Sequence, residues 1–306
     1  RCGRRTALTA PETVGGKAPA FRSGIVAVAG RANVGKSTLV NTIVGQKVSI
    51  VSDKPQTTRN AVRGVLSLDE GQLVFVDTPG LHKPRTLLGR QLNRTALGAV
   101  TGVDLVVFVI DGKAGLGRGD RFVADEVGAR DICVLNKVDG VSRGAVMRQL
   151  QALAEWGFEE YFAVSARTGA GVDDLVKALM SRMPEGPALY PDEVAGDKAS
   201  GTAGETEEQE WVAELVREQL LAITHDELPY SIACRVTEWE WPYVRCEILV
   251  ERDSQKWIVI GQGGAVLKKV GSAVRAQLPP GAYIELSVRV ARDWQQRPEM
   301  LKQLGL

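Results

Sequence analysis

The sequence predicts two domains in series, a mostly parallel α/β domain followed by a smaller α+β domain. Three observations predict it. Apolar runs alternate with helix-like segments from residue 22 to 184, the pattern of a parallel sheet covered by helices on both faces. A stretch rich in Gly, Pro, Ala, Thr and acids, residues 185–210, interrupts that pattern and reads as an acidic flexible linker. Beyond it, residues 211–306 follow a different order, α-β-β-α-α-β. A length of 306 residues accommodates about two domains. Its 44% apolar and 25% charged content is that of a soluble globular chain.

The first domain starts with the apolar run Ile25–Ala29, a buried strand, and then a helix-like run, Thr38–Val44. Ala61–Leu68 and Leu73–Val76 are strand-like, and Asp69-Glu70-Gly71-Gln72 between them reads as a hairpin turn. Residues 86–100 read as helix. Leu105–Ile110 is continuously apolar, as expected of a strand buried on both faces. A short helix over 120–128, a strand at Ile132–Leu135, a helix at Ser142–Glu155, a strand at Tyr161–Val164 and a closing helix at Val172–Met183 complete the alternation. The segment Arg121–Asp131 leaves room for only a short helix.

The second domain starts with a helix from about Trp211 to Thr224. Ser231–Glu240 and Tyr243–Arg252 alternate like two antiparallel strands. Trp257–Ile260, Gly261–Gly264 and Ala265–Leu278 read as short helix, turn and helix, and Ala282–Ala291 as a third strand. Trp239, Trp241 and Trp257 give this domain a heavy aromatic load, read as packing unless a ring is exposed and free to stack on a base.

Gly30-Arg31-Ala32-Asn33-Val34-Gly35-Lys36-Ser37 joins the first strand to the first helix. A glycine loop between a strand and a helix is the setting of a phosphate-binding P-loop. Backbone N–H groups at the helix start, through Thr38, would face phosphate oxygens. Lys36 would reach the β- and γ-phosphates, and the Ser37 hydroxyl would bind Mg²⁺. Asp77-Thr78-Pro79-Gly80 ends a strand; Asp77 there can hold Mg²⁺ through water, and Gly80 N–H can meet the γ-phosphate. Asn136-Lys137-Val138-Asp139 follows another strand, and the Asp139 carboxylate can accept from guanine N1–H and N2–H₂. Adenine lacks that donor pair, so the unpaired acid would penalise ATP by as much as ~10⁴-fold. Ser165-Ala166 follows the next strand, where a backbone N–H could meet guanine O6. Thr57 and Thr58 lie in a polar loop within reach of Mg²⁺ and γ-phosphate. Each motif singly is also a common cap or turn. Four in this order, each just beyond a strand, point to GTP/GDP with Mg²⁺.

These motifs, with Lys54-Pro55-Gln56-Thr57-Thr58-Arg59 and Gly80-Leu81-His82-Lys83-Pro84, resemble the Era family of bacterial GTPases. The resemblance runs from about Phe21 to Leu306 and implies a P-loop GTPase domain, residues 22–184, that hydrolyses GTP. It implies Thr58, rather than Thr57, as the switch threonine on Mg²⁺, and Lys36, Thr58 and Gly80 as the catalytic group. Ras-like enzymes place a water-orienting Gln just after Asp-x-x-Gly. Here that position is Leu81, so slow intrinsic turnover is expected. Asn33 resembles the P-loop residue of potassium-dependent GTPases, which implies K⁺ where an arginine finger would stand.

Ile260-Gly261-Gln262-Gly263-Gly264 sets a G-x-x-G turn between two helices, the device by which KH domains clamp a nucleic-acid backbone. Residues 255–292 carry six Lys and Arg, Lys268 and Lys269 among them just after the turn, against Glu285 as sole acid. Val259 and Ile260 are expected to line the groove for the bases. The run Ile258–Gly261, then Gly264-Ala265 and Gly271, resembles the type 2 KH domain of the Era family. That resemblance implies binding of the 3′ end of small-subunit ribosomal RNA, and of the 30S subunit during assembly. It also implies a monomer, no DNA partner, a cytoplasmic site and peripheral contact with the membrane. Two rival readings are an RNA-binding module with a structural nucleotide, and a GTPase acting on another RNA or at a membrane. No second P-loop marks a tandem GTPase, and no reactive C-terminal Cys marks a transfer-RNA-modifying relative.

Four cysteines without paired or metal-ligand spacing argue against disulfides and zinc. Cys133, Cys234 and Cys246 read as small core residues. Residues 1–21 read as a disordered basic tail, with the remnant of an organelle-targeting segment as the rival reading.

Overall fold

The computed structural model of the protein describes residues 20–191 and 205–306. The basic tail expected over 1–21, apart from its last two residues, and the middle of the expected linker lie outside the described residues.

The first domain is a six-stranded sheet in the order β2-β3-β1-β4-β5-β6. Its strands are β1 (Arg22–Gly30), β2 (Val62–Leu68), β3 (Gly71–Asp77), β4 (Leu105–Asp111), β5 (Ile132–Asn136) and β6 (Glu160–Ala163). All neighbours run parallel except β2, which pairs antiparallel with β3 through a tight turn at Asp69-Glu70. The hairpin is tighter than the sequence suggests, because Leu68 pairs directly with Gly71. Helices α1 (Lys36–Val44), α2 (Leu87–Ala99), α3 (Arg118–Val127), α4 (Arg143–Ala154) and α5 (Val172–Arg182) cover the sheet. Side chains alternate across each strand, so two cores form. Val26, Val28, Phe75 and Val107 pack under α1 and α5, while Ala27, Phe108, Ile110 and Leu135 pack under α3 and α4. Each large side chain buried there contributes about 1.5–3 kcal/mol.

The second domain has a three-stranded sheet, β7 (Ala233–Glu240), β8 (Tyr243–Val250) and β9 (Tyr283–Val290). β7 and β8 are antiparallel, and β9 runs parallel to β8 after a crossover. That crossover is α8 (Asp253–Ile260), the glycine turn and α9 (Ala265–Arg275). These helices share one core with α6 (Glu205–Ile223) and α7 (Leu228–Ser231). Cys133 and Cys246 are buried as expected, and Cys234 is half-buried.

Three features depart from the sequence reading. α6 starts at Glu205, not near Trp211, so the last residues of the expected linker are helical. Acids at positions 205, 207 and 208 suit a helix N-terminus, and nothing there breaks a helix. At the other end of the linker, Gln72 accepts from Leu189 and Tyr190 N–H, both at 2.8 Å, and donates to Tyr190 C=O at 2.9 Å. Those residues lie on the first sheet. Lastly, a short helix, α10 (Pro298–Gln303), follows the turn at Trp294. Trp294, Ala291 and Leu301 pack onto Leu88 and Leu92 of α2, joining the two domains through a small apolar core.

Candidate nucleotide site and nucleic-acid interface

The chain leaves β1 to build one edge of the first sheet and then returns to build the other. Open parallel sheets place ligands at that reversal, beyond the carboxyl ends of the strands. Gly30, Asp77 and Asn136 end β1, β3 and β5 there. Asn33 and Gly35 take left-handed backbone (φ 64° and 95°), so the loop curls around a cleft lined by Lys36, Ser37, Thr38, Thr58 and Gly80. Gly80 must lack a side chain: a Cβ would stand 2.5 Å from Ala32 Cα of the P-loop.

Lys36 is buried and donates to the Gly30 and Arg31 carbonyls at 3.2 and 2.9 Å. Burial lowers its pKa to about 8, against the opposing pull of Asp77. Beside it, Thr58 Oγ1 lies 2.9 Å from Ser37 Oγ and 3.4 Å from Asp77 Oδ2. Asp77 is fully buried, and burial raises its pKa more than Lys36 and the neighbouring hydroxyls lower it. Among the described residues its Oδ1 accepts no hydrogen bond. An orphaned carboxylate oxygen beside two hydroxyls is a donor set for a hard divalent cation. The residues therefore fit Mg²⁺. Both threonines line the cleft, but the Thr57 hydroxyl is bonded to Lys54 C=O at 2.6 Å, which leaves Thr58 as the one whose hydroxyl meets Ser37 and Asp77.

On the base side, Asn136 is a tie-piece. It donates to Val34 C=O at 2.9 Å and accepts from Lys137 N–H at 2.8 Å and Ala166 N–H at 2.9 Å. Lys137 Nζ reaches over to Asn33 C=O at 2.5 Å and Asp111 Oδ2 at 2.6 Å. The N–H groups of Ser165 and Ala166, expected near guanine O6, have partners within the protein. Ser165 N–H bonds Ala170 C=O, and the buried Ala166 N–H is taken by Asn136. Asp139 accepts from the Ser165 hydroxyl at 2.6 Å and pairs with Arg167. The Ser165 hydroxyl, then Arg167, holds the Asp139 carboxyl below its ordinary range. It stays an ionised acceptor.

Leu81 is a core residue whose N–H bonds Gly30 C=O at 3.1 Å, so its side chain cannot orient water. Asn33 Nδ2 donates to Asp53 C=O at 2.6 Å, linking the P-loop to the loop that carries Thr58. Sequence reasoning passed over His82. Its Nδ1 lies 3.2 Å from Gly80 C=O and its Nε2 3.0 Å from Gln56 Nε2. That network makes Nδ1 the protonated nitrogen and joins the two loops flanking the cleft.

In the second domain the glycine turn is built as expected. Gly261, Gly263 and Gly264 all have positive φ (73°, 60° and 80°), and Gln262, Lys268 and Lys269 are exposed. A Cβ at Gly261 would stand 2.6 Å from Val266 Cγ2, whereas one at Gly263 meets open space. Val259 does not line a groove. Four residues after buried Gln255, it faces the sheet and is 0% exposed, because the 3.6-residue period of α8 turns it inward. The same period puts Trp257 and Ile258 outside, 69% and 58% exposed, beside half-buried Ile260. Among the described residues no helix is long and apolar enough to cross a membrane.

A family model described as 50S ribosome-binding GTPase matches residues 25–137, and a KH domain model matches residues 227–295. The GTPase Era of Geobacter metallireducens is 40% identical over 299 residues, covering 93% of this chain and 98% of the relative. That of Mycobacterium avium is 41% identical over 303 residues, covering 93% and 99%. Among solved structures, a variant of Aquifex aeolicus Era bound to GDP.AlF4- matches with a TM-score of 0.85 at 33% identity, covering 93% of this chain and 99% of that one. Era in complex with MgGDPNP and nucleotides 1506–1542 of 16S ribosomal RNA matches with the same score, identity and coverage. Similarity at this level runs through both domains and nearly the full length of each relative, and the chain belongs to the Era family of GTPases.

Proposed function

We propose that this chain is a GTP-hydrolysing switch that binds the 3′ end of small-subunit ribosomal RNA through its KH domain and assists 30S subunit maturation in the cytoplasm. The carrying observation is the pairing, on one chain, of a Mg²⁺-fitting phosphate cleft with an exposed G-x-x-G turn followed by Lys268 and Lys269. A related Era structure holds MgGDPNP and 16S ribosomal RNA nucleotides together, which supports the same pairing here.

Within this reading, Lys36 and Gly80 N–H bind the phosphates, and Asp139 reads guanine. Ser37, Thr58 and, through water, Asp77 hold Mg²⁺. Mg²⁺ bound there supplies positive charge against the phosphate oxygens. Asn136 and Lys137 position the loops, and Leu81 keeps turnover slow. Asn33 lines the phosphate cleft with its Nδ2 held by Asp53 C=O, and we assign its side-chain oxygen to K⁺. Gly261–Gly264 with Lys268 and Lys269 grip the RNA backbone. Ile260 and the exposed Trp257 and Ile258 lie beside its bases.

The test is binding of an oligonucleotide from the 3′ end of small-subunit ribosomal RNA, with a scrambled control, in GDPNP, in GDP and without nucleotide. Tighter binding of the true sequence in GDPNP is expected. Equal binding of both oligonucleotides in every state would refute the ribosomal assignment.

A further inference from the structure

α6 belongs to the second domain, yet one of its faces grips the loop that carries Thr58. Glu214, Arg217 and Glu218 are spaced i, i+3, i+4 and so share that face. Glu218 Oε1 accepts from Val51 N–H at 3.0 Å, and its Oε2 from Lys47 Nζ at 2.5 Å. Lys47 also donates to Gln277 Oε1 at 2.6 Å, just beyond α9. At the other end of the loop, Arg217 donates through Nη2 to the Thr57 carbonyl, and through Nε to Glu214 Oε1 at 2.8 Å. Arg217 is 1% exposed, and its Nη1 has no partner.

The chemistry of this contact goes beyond adhesion. Arg59 is buried as well, its guanidinium 5.4 Å from the Trp294 ring centroid, with Nε unpartnered. Two buried guanidiniums thus share this junction, and Glu214 pairs with Arg217. Apolar residues of similar volume would hold two domains together at lower cost. What an apolar residue cannot do is donate to a carbonyl. The Thr57 carbonyl belongs to the planar peptide that leads into Thr58. Fixing that plane fixes where Thr58 starts, and Thr58 Oγ1 lies 2.9 Å from Ser37 Oγ.

We infer that Arg217 of the KH domain is a positioning residue for the GTPase reaction, holding Thr58 at the Mg²⁺ side of the cleft through the Thr57 carbonyl. The inference rests on the assignment of Thr58 above. It has a reciprocal consequence: whatever orders Thr58 strengthens the hold on α6 by the same factor, because coupling free energies are symmetric. The γ-phosphate state and the docking of the KH domain are then linked through one side chain.

The test uses the full chain with Arg217→Met, which keeps the apolar stem in the contact but cannot donate. GTP turnover is measured with GDP and GDPNP affinities. Expected are a fall in kcat of about 10- to 100-fold and a loss of GDPNP affinity of about tenfold. GDP affinity should be unchanged, because GDP has no γ-phosphate for the Thr58 loop to close on. Should Arg217→Met not fold, Arg217→Gln, too short to reach Thr57, carries the same expectation. A folded variant with wild-type kcat and a wild-type ratio of GDPNP to GDP affinity would overturn the inference while leaving the switch reading intact. A wild-type chain without GTP turnover would instead overturn the switch reading and, with it, this inference.

Discussion

Lys36→Met should make the nucleotide-free protein more stable while abolishing nucleotide binding. The buried ammonium is held ready for phosphate in a site that supplies it two carbonyl oxygens and the incompletely paired Asp77. Its pKa drops from 10.5 to about 8, worth about 3 kcal/mol against the folded state at neutral pH, at 1.36 kcal/mol per pKa unit. Losing two hydrogen bonds of about 1 kcal/mol each offsets part of this. The expected net gain is about 1–3 kcal/mol. For a domain of this size that raises the melting temperature by about 2–4 °C per kcal/mol. The direction with pH follows from proton counts. The unfolded chain keeps the Lys36 proton up to about pH 10.5, and the folded chain up to about 8. Between those values the unfolded state binds more protons, so wild-type stability rises with pH across that window. Arg59 adds a rise of its own above about pH 9, and subtracting the Lys36→Met curve removes it. The assay is thermal unfolding of both nucleotide-free proteins from pH 7 to 10, with GDP binding measured in parallel. A Met variant less stable than wild type at pH 7, or a difference that does not shrink as pH rises, would refute the reasoning.

Three further predictions follow from the site. Asp139→Asn should weaken guanine nucleotide binding by on the order of 10⁴-fold and favour a xanthine nucleotide, whose C2 carbonyl accepts what Asn donates; calorimetric titration with GDP and XDP checks both. Gly263→Asp should abolish RNA binding yet spare folding and GTP turnover, since its Cβ meets no atom within 4 Å and Asp tolerates left-handed backbone; a lowered melting temperature would count against it. GTP turnover should be faster in K⁺ than in Na⁺ at equal ionic strength if Asn33 holds a cation, and equal rates would remove that role.

Much of the nucleotide site was legible because its chemistry is local. Residues 30–37 need only their own backbone and the flanking strand and helix to form the loop, and Asp77, Asn136 and Ser165 each sit just past a run of apolar residues. What escaped depends on partners far along the chain. Ala166 N–H looks free in sequence, and only the fold brings it to Asn136. Val259 and Ile258 are equally apolar, and which one faces the sheet depends on where α8 starts, set by Gln255 accepting from Glu251 and Arg252 N–H. Arg217 and Glu218 were assigned no role, because a charged pair in α6 carries no mark of the loop 160 positions earlier that buries it. Trp294 was hidden for a related reason, since the helix that follows it spans only six residues and shows no apolar period.

The apolar junction between Leu88, Leu92, Trp294 and Leu301 has a consequence for synthesis. The chain is made from its N-terminus, and α2 leaves the ribosome about two hundred residues before Leu301 does. At roughly 5–20 residues per second the interval is about 10–40 s. Throughout it the first domain can fold around its own sheet, but the leucines that α2 turns toward the KH domain have no cover, and Arg59 has no indole beneath it. A nascent chain, or one cut short ahead of Ala291, therefore displays a greasy strip beside the nucleotide cleft. That strip is a natural point at which a proofreading chaperone or protease would recognise an unfinished copy.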